Sequence, residues 1–385
     1  MKKPQLYSTL ILLLLLCFTA CNNTPAEAPP AADAALETPP ATDASVETPP
    51  AVDASVETPG IIEGGVAIEW VEPALEALVR QELGKPEGII YQEELEYVKR
   101  LELFGESHIF FNGDGGLILG KIKRSKGVDL HYDDGQGNPY KDGTYEIEGQ
   151  QYSRGSISSL ADFANFRNLT GLAVHKNYLL DLTGLEPLKD LLDLVLIDNE
   201  IQDAGALASL RQLKYLMLNY NSIADMSAFS GFDQITTLCL AGNQISNLDW
   251  LIGFSSVNWL RLGYNPITNL DGLKDMESIE FLELNDVQAE DFSALAGNTS
   301  LITLHISNLK IKSLDLAQLT TVLSTIPNLK SLGITQNQAE LINFRSLAEL
   351  ASLTQLFITP NANITDEDIE WLRKQLPSCD IKLIE

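Results

Sequence analysis

The residue types that most often perform acid–base, nucleophilic or metal chemistry are few and scattered in this chain of 385 residues. Its four histidines, His108, His131, His175 and His305, lie far apart, and none stands in an H-E-x-x-H pattern. The sequence contains no G-x-S-x-G nucleophile elbow, no C-x-x-C pair and no phosphate-binding loop. We therefore expect that the protein is not an enzyme and that it needs no cofactor.

The best candidate for a metal site is the acidic loop from Asp133 to Asn138. Aligned as a calcium-binding loop from Asp134, it has Pro139 where glycine is required and Tyr145 in place of the bidentate glutamate. A tight acidic turn explains this loop better, so we predict no metal site.

The N-terminus has the pattern of an export signal. Lys2 and Lys3 precede an apolar run of nine residues, which is too short for a membrane span of about 20 residues. The run ends in Phe18-Thr19-Ala20-Cys21, which resembles the bacterial lipobox, although that motif usually has leucine where Phe18 stands. The resemblance implies that residues 1–20 are removed and that Cys21 carries a lipid. The alternative is a plain secretory signal that is cleaved near Ala20.

Residues 21–60 have the composition of a tether. They contain three copies of a ten-residue unit, PPAADAALET, PPATDASVET and PPAVDASVET. Proline pairs with alanine, threonine and acidic residues offer no apolar periodicity, so this segment cannot bury a core. A fully extended polyproline-like tether of this length would span roughly 120 Å at ~3.1 Å per residue.

From residue 169 onward the sequence repeats the pattern L-x-x-L-x-L-x-x-N-x-I. Seven copies follow one another at intervals of 22 residues, and two later copies begin at Leu329 and Leu353. The seven begin at Leu169, Leu191, Leu213, Ile235, Val257, Ile279 and Leu301. Such a period predicts a leucine-rich-repeat solenoid, an α/β fold in which one short strand per repeat builds a parallel β-sheet on the concave face.

The spacing also assigns a place to each residue type in a repeat. The two leucines of L-x-L point inward from the strand, and the asparagine lies buried in the turn that follows. We expect these asparagines to bond backbone groups of neighbouring turns, and Val287 and Leu309, which replace two of them, to alter the ladder locally. The predicted ladder comprises Asn177, Asn199, Asn221, Asn243 and Asn265.

The ends of a solenoid need caps, and both are visible. A helix is predicted from Glu72-Pro73 to Leu83-Gly84, with proline in the first turn and glycine at the stop. Asp366 to Leu376 is predicted as a closing helix, and Ile381 to Ile384 as a final strand. We therefore assign residues 61–104 to the N-terminal cap and first strand, 157–365 to the repeats and 366–385 to the C-terminal cap.

An insertion interrupts the first repeat. Val98, Leu101 and Leu103 fit a first strand, but the isoleucine that a 22-residue register expects at position 108 stands at Ile157, so 49 residues are inserted. Strand and turn signals predict that residues 105–156 form a small β meander. Its candidate strands are Ser107–Phe111, Leu117–Lys123, Val128–Tyr132 and Thr144–Glu148.

The outward-facing side of the predicted sheet carries the candidate binding residues. Counting the first leucine of a copy as position one, positions three, five and seven point away from the core, and position eight begins the next loop. Tryptophan, tyrosine and arginine at such positions are typical of interface hot spots. The candidates are Tyr215, Met217, Tyr220, Trp259, Arg261, Tyr264, Phe281, Glu283 and His305.

The register predicts how these side chains are arranged. Trp259 and Phe281 should stand side by side on adjacent strands, about 4.8 Å apart, with Tyr215 two strands from Trp259. We predict that this exposed aromatic patch is a binding face. The alternative is that these side chains only cover the sheet, in which case Arg261 and Glu283 form a solvated ion pair.

Two further features of the repeats suggest a family. The unit continues after the asparagine as I-x-D, as at Ile201-Gln202-Asp203, and resembles internalin-type bacterial leucine-rich repeats. The cap sequence from Pro73 to Leu103 is similar to the caps of secreted proteins of that class, so the resemblance covers about residues 66–385. It implies an adhesion or recognition protein without catalytic activity.

The net charge and the positions of the cysteines limit which partners and which covalent bonds we expect. A net charge of −27 disfavours nucleic acid, which needs a concentrated basic surface. Cys239 and Cys379 belong to distant repeats and should not form a disulfide.

We expect a monomer, lipid-anchored on the extracytoplasmic side of a cell or outer membrane, that binds a protein or a glycan on its concave face. The alternatives are an envelope spacer without a ligand and, last, an enzyme with its site in the insertion.

Overall fold

The computed structural model describes residues 64–105, 107–111, 144–147, 150–335, 339–359 and 363–384. Within these ranges the chain forms three α-helices: α1 Pro73–Leu83, α2 Leu316–Leu323 and α3 Asp366–Gln375. The strands are β1 Arg100–Phe104, β2 Ser107–Phe111, β3 Thr144–Ile147, β4 Gln150–Ser153, β5 Gly171–His175, β6 Asp193–Val195, β7 Tyr215–Met217, β8 Thr237–Cys239, β9 Trp259–Arg261, β10 Phe281–Glu283, β11 Thr303–His305, β12 Ser313–Asp315, β13 Ser331–Ile334, β14 Glu340–Ile342, β15 Gln355–Ile358 and β16 Asp380–Leu383.

Most of the strands belong to one sheet. Its order is β2-β1-β5-β6-β7-β8-β9-β10-β11-β13-β15-β16, and every neighbouring pair is parallel except β1 with β2. The register places equivalent positions of successive repeats side by side, as in Leu216 beside Leu238 and Leu238 beside Leu260. The predicted solenoid with its parallel sheet is therefore confirmed.

The leucines of the L-x-L pattern form the core. Leu216, Leu218, Leu238 and Leu240 are all completely buried, and the same holds for their equivalents along the solenoid. Burying one such side chain stabilises the fold by roughly 1.5–3 kcal/mol. Because each repeat adds a similar set, the core is one continuous cluster from the N-terminal cap to the last strand.

Each strand ends in a turn of fixed backbone shape. Position eight adopts a left-handed conformation in the copies that begin between residues 169 and 301, with φ between 51° and 72°. Gly242 is the one residue of this set that adopts the conformation without steric cost. The other residues adopt it because hydrogen bonds to the neighbouring turns hold the backbone in place. The residues concerned are Lys176, Asp198, Tyr220, Gly242, Tyr264, Asp286 and Asn308.

The asparagine ladder lies in this turn. Asn221 Nδ2 donates to the carbonyl oxygens of Leu196 at 2.8 Å and Leu218 at 3.0 Å, and its Oδ1 accepts from Ile201 N at 3.1 Å. Asn243 and Asn265 repeat this pattern with the next copies, and Asn177 and Asn199 make the equivalent contacts at the N-terminal end.

The ladder ends where the asparagine is replaced. Val287 offers no acceptor, and the amide of Ile267 donates instead to the backbone oxygen of Asn265 at 2.8 Å. At Ile267 the acceptor is therefore a backbone oxygen of the same repeat. In the preceding repeats, the asparagine side chain of the next repeat accepts the equivalent hydrogen bond.

The convex side consists of short 3-10 turns. An Asp or Asn side chain accepts from the amide two residues ahead and so begins the turn, as Asp203 does with Gly205 and Asp225 with Ser227. Asn247 makes the same bond to Asp249. Stacked phenylalanines fill the space beneath, with Phe229 and Phe232 ring centroids 4.9 Å apart.

The caps follow the predicted elements. Helix α1 ends at Gly84, whose φ of 62° is left-handed, and α3 begins with a capping box between Thr365 and Asp368. A reciprocal pair of buried carboxylates joins α1 to the first repeat. Asp162 accepts from the amides of Val71 and Glu72, and Glu72 Oε2 accepts from the amides of Ser158 and Ser159.

The insertion leaves the solenoid continuous. Strand β1 pairs directly with β5, with Leu101 beside Leu172, although the insertion separates them in the chain. Strand β2 extends the sheet antiparallel to β1, and β3 and β4 form a hairpin. The predicted strands Leu117–Lys123 and Val128–Tyr132 and the acidic loop 133–138 lie outside the described residues, as do the signal, Cys21 and the tether.

The last two copies, which begin at Leu329 and Leu353, each follow the copy before them by more than 22 residues. After the copy that begins at Leu301, the additional residues form α2 and β12, and β12 pairs in parallel with β14 in a separate two-stranded sheet. Cys239 on β8 and Cys379 before β16 form no disulfide bond, as expected. None of the described helices is long and apolar enough to cross a membrane.

Candidate functional site

The nine candidate residues lie at outward positions of strands β7 to β11 and in the turns that follow them, but they are not equally accessible. Phe281, Glu283 and His305 are buried, with 6%, 0% and 7% of their surface exposed. The expectation that all nine are exposed is therefore wrong for these three. The other six, all partly exposed, are Tyr215, Met217, Tyr220, Trp259, Arg261 and Tyr264.

Trp259 and Phe281 form a stacked pair. Their ring centroids are 3.8 Å apart and their planes differ by 7°. His305 closes the far side of Phe281, with centroids 5.3 Å apart at 76°. Phe281 is buried because rings cover both of its sides, and the stack holds the Trp259 ring in one orientation.

Glu283, two residues after Phe281 on the same face of β10, is a fully buried carboxylate. Its Oε1 accepts from Asn285 N at 2.9 Å, and its Oε2 lies 3.5 Å from Arg261 Nε. Gly263 provides the space, since a Cβ atom there would lie 2.1 Å from Oε1. The alternative of a solvated Arg261–Glu283 pair is thus wrong, because the side chain of Glu283 is 0% and that of Arg261 only 14% exposed.

Tyr215, Met217 and Tyr220 have a packing role of their own. They lie against a small apolar cluster on the concave face, formed by Ala173, Val195 and Ile197. Burial raises the pKa of the Tyr215 hydroxyl far above its ordinary value, so this group stays neutral. The signal in the sequence is the run of apolar residues at outward positions of adjacent repeats.

Strand β8 separates the two groups of large side chains. Its outward positions hold only small residues, Thr237 and Cys239, followed in the turn by Ala241 and Gly242. Tyr220 leans over Gly242, where a Cβ atom would lie 2.5 Å from the Tyr220 ring. Cys239 is completely buried, whereas Thr237 is partly exposed. The accessible part is therefore the surface at Thr237 between Tyr215 and Trp259, all three of which are partly exposed, and we call it the aromatic slot.

Outside the concave face, the described part of the chain offers few groups of side chains that could bind a metal ion or catalyse a reaction. No three histidine, cysteine or acidic side chains among these residues are close enough together to hold a metal ion. A pocket of about 200 Å³ opens beside the convex 3-10 turns, lined by Asp249, Ile252, Asp271, Asp275 and Met276 among others. It lies away from the aromatic slot, and no histidine is among its lining residues.

Solved structures share this architecture. An internalin (inlF) from Listeria monocytogenes matches over 80% of this chain and 88% of that chain, at 20% identity and a TM-score of 0.52. The chain described here therefore has an internalin-type leucine-rich-repeat fold. A second internalin of the same bacterium matches over 75% of this chain and 93% of that chain, at 20% identity and a TM-score of 0.47.

More distant similarity extends to a leucine-rich-repeat ectodomain of a plant membrane receptor kinase from Arabidopsis thaliana. It covers 58% of this chain and 28% of that chain, at 20% identity and a TM-score of 0.45. No protein-family model and no curated protein sequence matches the chain.

At the N-terminal end of its concave face, this internalin-type fold carries charged residues that the repeat pattern does not reveal. Arg100 on β1 reaches across Gly171 to Asp193 on β6, with 2.7 Å between Nη1 and Oδ2. Buried Glu102 and His175 lie 3.6 Å apart. A Cβ atom at Gly171 would lie 2.7 Å from Arg100 Nη1, so the glycine permits this ion pair.

Proposed function

We propose that this protein is a lipid-anchored recognition module that binds a protein ligand at the concave face, around the aromatic slot. The observation that carries the proposal is the partly exposed Trp259 ring, stacked on Phe281 on the solvent side of the sheet. A solvent-facing strand has little other reason to hold a tryptophan there.

The stack suits Trp259 to be a binding anchor. A side chain that is already held in one orientation loses little conformational entropy when a ligand binds. Arg261 is oriented in the same way, because the buried carboxylate of Glu283 fixes its Nε side. Rigid tryptophan, tyrosine and arginine side chains at the centre of a patch are the typical energetic centre of a protein interface.

The competing functions lack such support. A spacer needs repeats and caps but no aromatic slot. Catalysis needs grouped acid–base side chains, whereas Asp193 and Glu283 on the concave face are each held in an ion pair with an arginine. A glycan could stack on the same tryptophan ring. We favour a protein ligand because apolar, aromatic and charged side chains stand together in this patch.

The anchoring part of the proposal rests on the sequence. The lipobox-like residues before Cys21 and the proline-rich repeats of residues 21–60 support a lipid-anchored domain held away from the envelope surface.

We also propose that the protein is a monomer. At the C-terminal edge of the sheet, β16 has only four residues, and Arg373 Nη2 donates to its Ile381 oxygen at 3.4 Å, which disfavours addition of a further strand.

The experiment is an affinity capture from bacterial and host surface extracts with the mature full-length chain. Trp259→Ala should weaken capture of the specific ligand by roughly thirtyfold, equivalent to about 2 kcal/mol. The matched control is Trp371→Ala, which removes a tryptophan from α3 that lies under Arg345. Identification of the captured material as protein or glycan separates the two ligand classes. Equal capture by the wild type and Trp259→Ala would contradict the site.

A further inference from the structure

A pocket of about 200 Å³ lies between two 3-10 turns of the convex side, away from the aromatic slot. The turns are Asp249–Leu251 and Asp271–Leu273, which belong to successive copies of the repeat. The lining residues lie within 249–255 of the first copy and 271–276 of the second. We call this space the convex pocket. Pockets for drug-sized ligands have roughly 300–1,000 Å³, so the convex pocket suits a single side chain.

The convex pocket exists because one turn departs from the shape of its neighbours. Gly231 and Gly253 occupy equivalent positions and have left-handed φ angles of 82° and 92°. Gly231 N donates to Ile252 O at 3.1 Å and so joins these two turns. Asp275 stands at the next equivalent position, where its side chain makes the left-handed conformation costly.

The backbone before Asp275 stays helical instead. The ψ angle of Lys274 is −37°, whereas that of the equivalent Ile252 is 121°. Within the described residues, no backbone hydrogen bond joins Gly253 N to Lys274 O. The turns on the two sides of the convex pocket are therefore not bonded as the preceding pair is, and the space between them stays open.

The wall of the convex pocket is apolar. Phe254 and Met276 line it and are almost completely buried. Ile252 also lines it but is 70% exposed, the highest fraction of any large apolar side chain among the described residues. The equivalent residues of the adjacent copies are Ser230 and Lys274. A single exposed isoleucine needs no explanation by itself, but Ile252 borders a pocket whose inner surface is also apolar.

The entrance of the convex pocket is negatively charged. Three carboxylates line it: Asp249, Asp271 and Asp275. Lys274 Nζ lies 2.6 Å from Asp271 Oδ1 and balances that charge, whereas Asp249 and Asp275 have no ion-pair partner in the described part of the chain. No three acidic side chains among these residues are close enough to hold a metal ion. The excess negative charge therefore suits an organic cation.

The apolar wall and the charge together favour a lysine side chain. Its four methylene groups can lie along Ile252 and Met276 while the ammonium group stays beside the carboxylates in water. An arginine fork gains most from a bidentate carboxylate, but Asp249 Oδ2 already accepts from Asn247 Nδ2 at 3.0 Å. The exposed surface of Ile252 extends beyond the pocket, so a protein segment covers it better than a free amine does.

We propose that the convex pocket binds a lysine side chain of a protein partner, with the aliphatic stem against Ile252 and the ammonium group beside Asp249 and Asp275. This is a second binding site, and it does not depend on the function proposed for the concave face. A single exposed ion pair contributes little to affinity, so the stem and the charge are both required.

The test follows the methyl signal of Ile252 by NMR, in the mature full-length chain with labelled isoleucine methyl groups. Three peptides of equal length carry lysine, acetyl-lysine or norleucine between two leucines. The lysine peptide should shift the Ile252 signal until saturation and bind about fivefold more tightly than either neutral peptide. Its affinity should fall as the salt concentration rises. Ile252→Ser, which introduces the residue found at Ser230, assigns the signal by its loss.

Two charge variants separate the convex pocket from general attraction to an acidic protein. Asp249→Asn, Asp275→Asn should weaken the lysine peptide by about fivefold and leave the norleucine peptide unchanged. The control variant Asp190→Asn, Asp233→Asn removes the same charge from exposed loops outside the pocket and should change affinity by less than about twofold. Equal effects of the two variants would overturn the proposal.

Other outcomes also decide the proposal. An Ile252 signal that the lysine peptide does not move, or that the norleucine peptide moves equally, would overturn the site. Butylamine that binds as tightly as the lysine peptide would overturn the protein partner, because the surface of Ile252 would then add nothing. Trp259→Ala should change the affinity of the lysine peptide by less than about twofold, since Trp259 lies on the concave face. A larger loss would place the peptide there and overturn the convex site, without contradicting the proposed function.

Discussion

At the scale of single residues, the asparagine of each repeat stabilises the fold by completing backbone hydrogen bonds that no strand can reach. Asn221 is only 7% exposed, and its amide group bonds backbone atoms of its own copy of the repeat and of the preceding copy. Buried donors and acceptors without partners cost about 1–3 kcal/mol each, so one side chain has a large effect.

Asn221→Ala should therefore lower the free energy of unfolding by about 1–3 kcal/mol, because Ile201 N and Leu196 O lose their partner in a buried turn. Urea unfolding followed by circular dichroism measures the change. Ser222→Ala is the matched control, since Ser222 is the exposed neighbour and should change the stability by less than about 0.5 kcal/mol. Similar unfolding curves for the two variants would contradict a role for the ladder.

At the scale of elements, the convex turns depend on acidic side chains that begin them. The pKa of Asp225 is lowered from its ordinary value of 3.8, first by the backbone hydrogen bond from Ser227 and then by the Ser227 side chain. A carboxyl group with a lowered folded-state pKa stabilises the fold at pH values above its unfolded pKa. That contribution is lost as the pH falls through the lower folded-state value.

Asp225→Asn should reduce the acid sensitivity of the protein below about pH 4 and leave its stability at neutral pH nearly unchanged. Asparagine makes the same turn-starting bond at Asn247 and Asn269, but it does not titrate. Melting temperatures of both proteins between about pH 7 and pH 2 measure the difference. If the melting temperatures of the wild type and the variant fall equally as the pH is lowered, protonation of Asp225 does not affect stability through the bond from Ser227.

The junction between α1 and the first repeat is a second element that depends on carboxylates. Asp162 accepts the amides of Val71 and Glu72 at 2.9 Å and 2.6 Å in a site where Asp162 is 2% exposed. Asp162→Ala should destabilise the N-terminal cap by about 3 kcal/mol, because two amides at the start of α1 lose a charged acceptor.

Limited proteolysis and urea unfolding both report on this junction. Asp162→Ala should be cleaved earlier within the N-terminal cap than the wild type, since the cap opens more often. Asp190→Ala removes an exposed carboxylate from a neighbouring loop and serves as the control. If both variants resist protease equally, the carboxylate pair does not hold the cap.

At the scale of the whole molecule, the folded part is an acidic solenoid, and we propose that the N-terminal 60 residues carry the signals for export and anchoring. Replacing Cys21 by alanine should prevent lipid attachment, so the protein should leave the membrane fraction or remain unprocessed. Fractionation and mass spectrometry of the N-terminus measure this. A Cys21→Ala protein that is processed and remains in the membrane fraction like the wild type would show that no lipid is attached there.

The sequence by itself determined the architecture of this molecule. A 22-residue period can bury its leucines only if each repeat stacks on the next, so the sheet, its register and the direction of its side chains follow from the spacing. Proline at the start and glycine at the end of α1 determined that helix for an equally local reason. The adjacency of Trp259 and Phe281 also follows from the register, because equivalent positions must lie side by side.

The accessibility of the concave face was decided only by the tertiary structure. The exposure of an outward position depends on the size of its neighbours, and these side chains come from several strands at once. Glu283 is buried where Gly263 leaves room for its carboxylate, and Ala173 and Val195 are buried although they point to the concave face. Spacing along one chain specifies which way a side chain points, whereas packing between repeats decides whether solvent or a ligand can reach it.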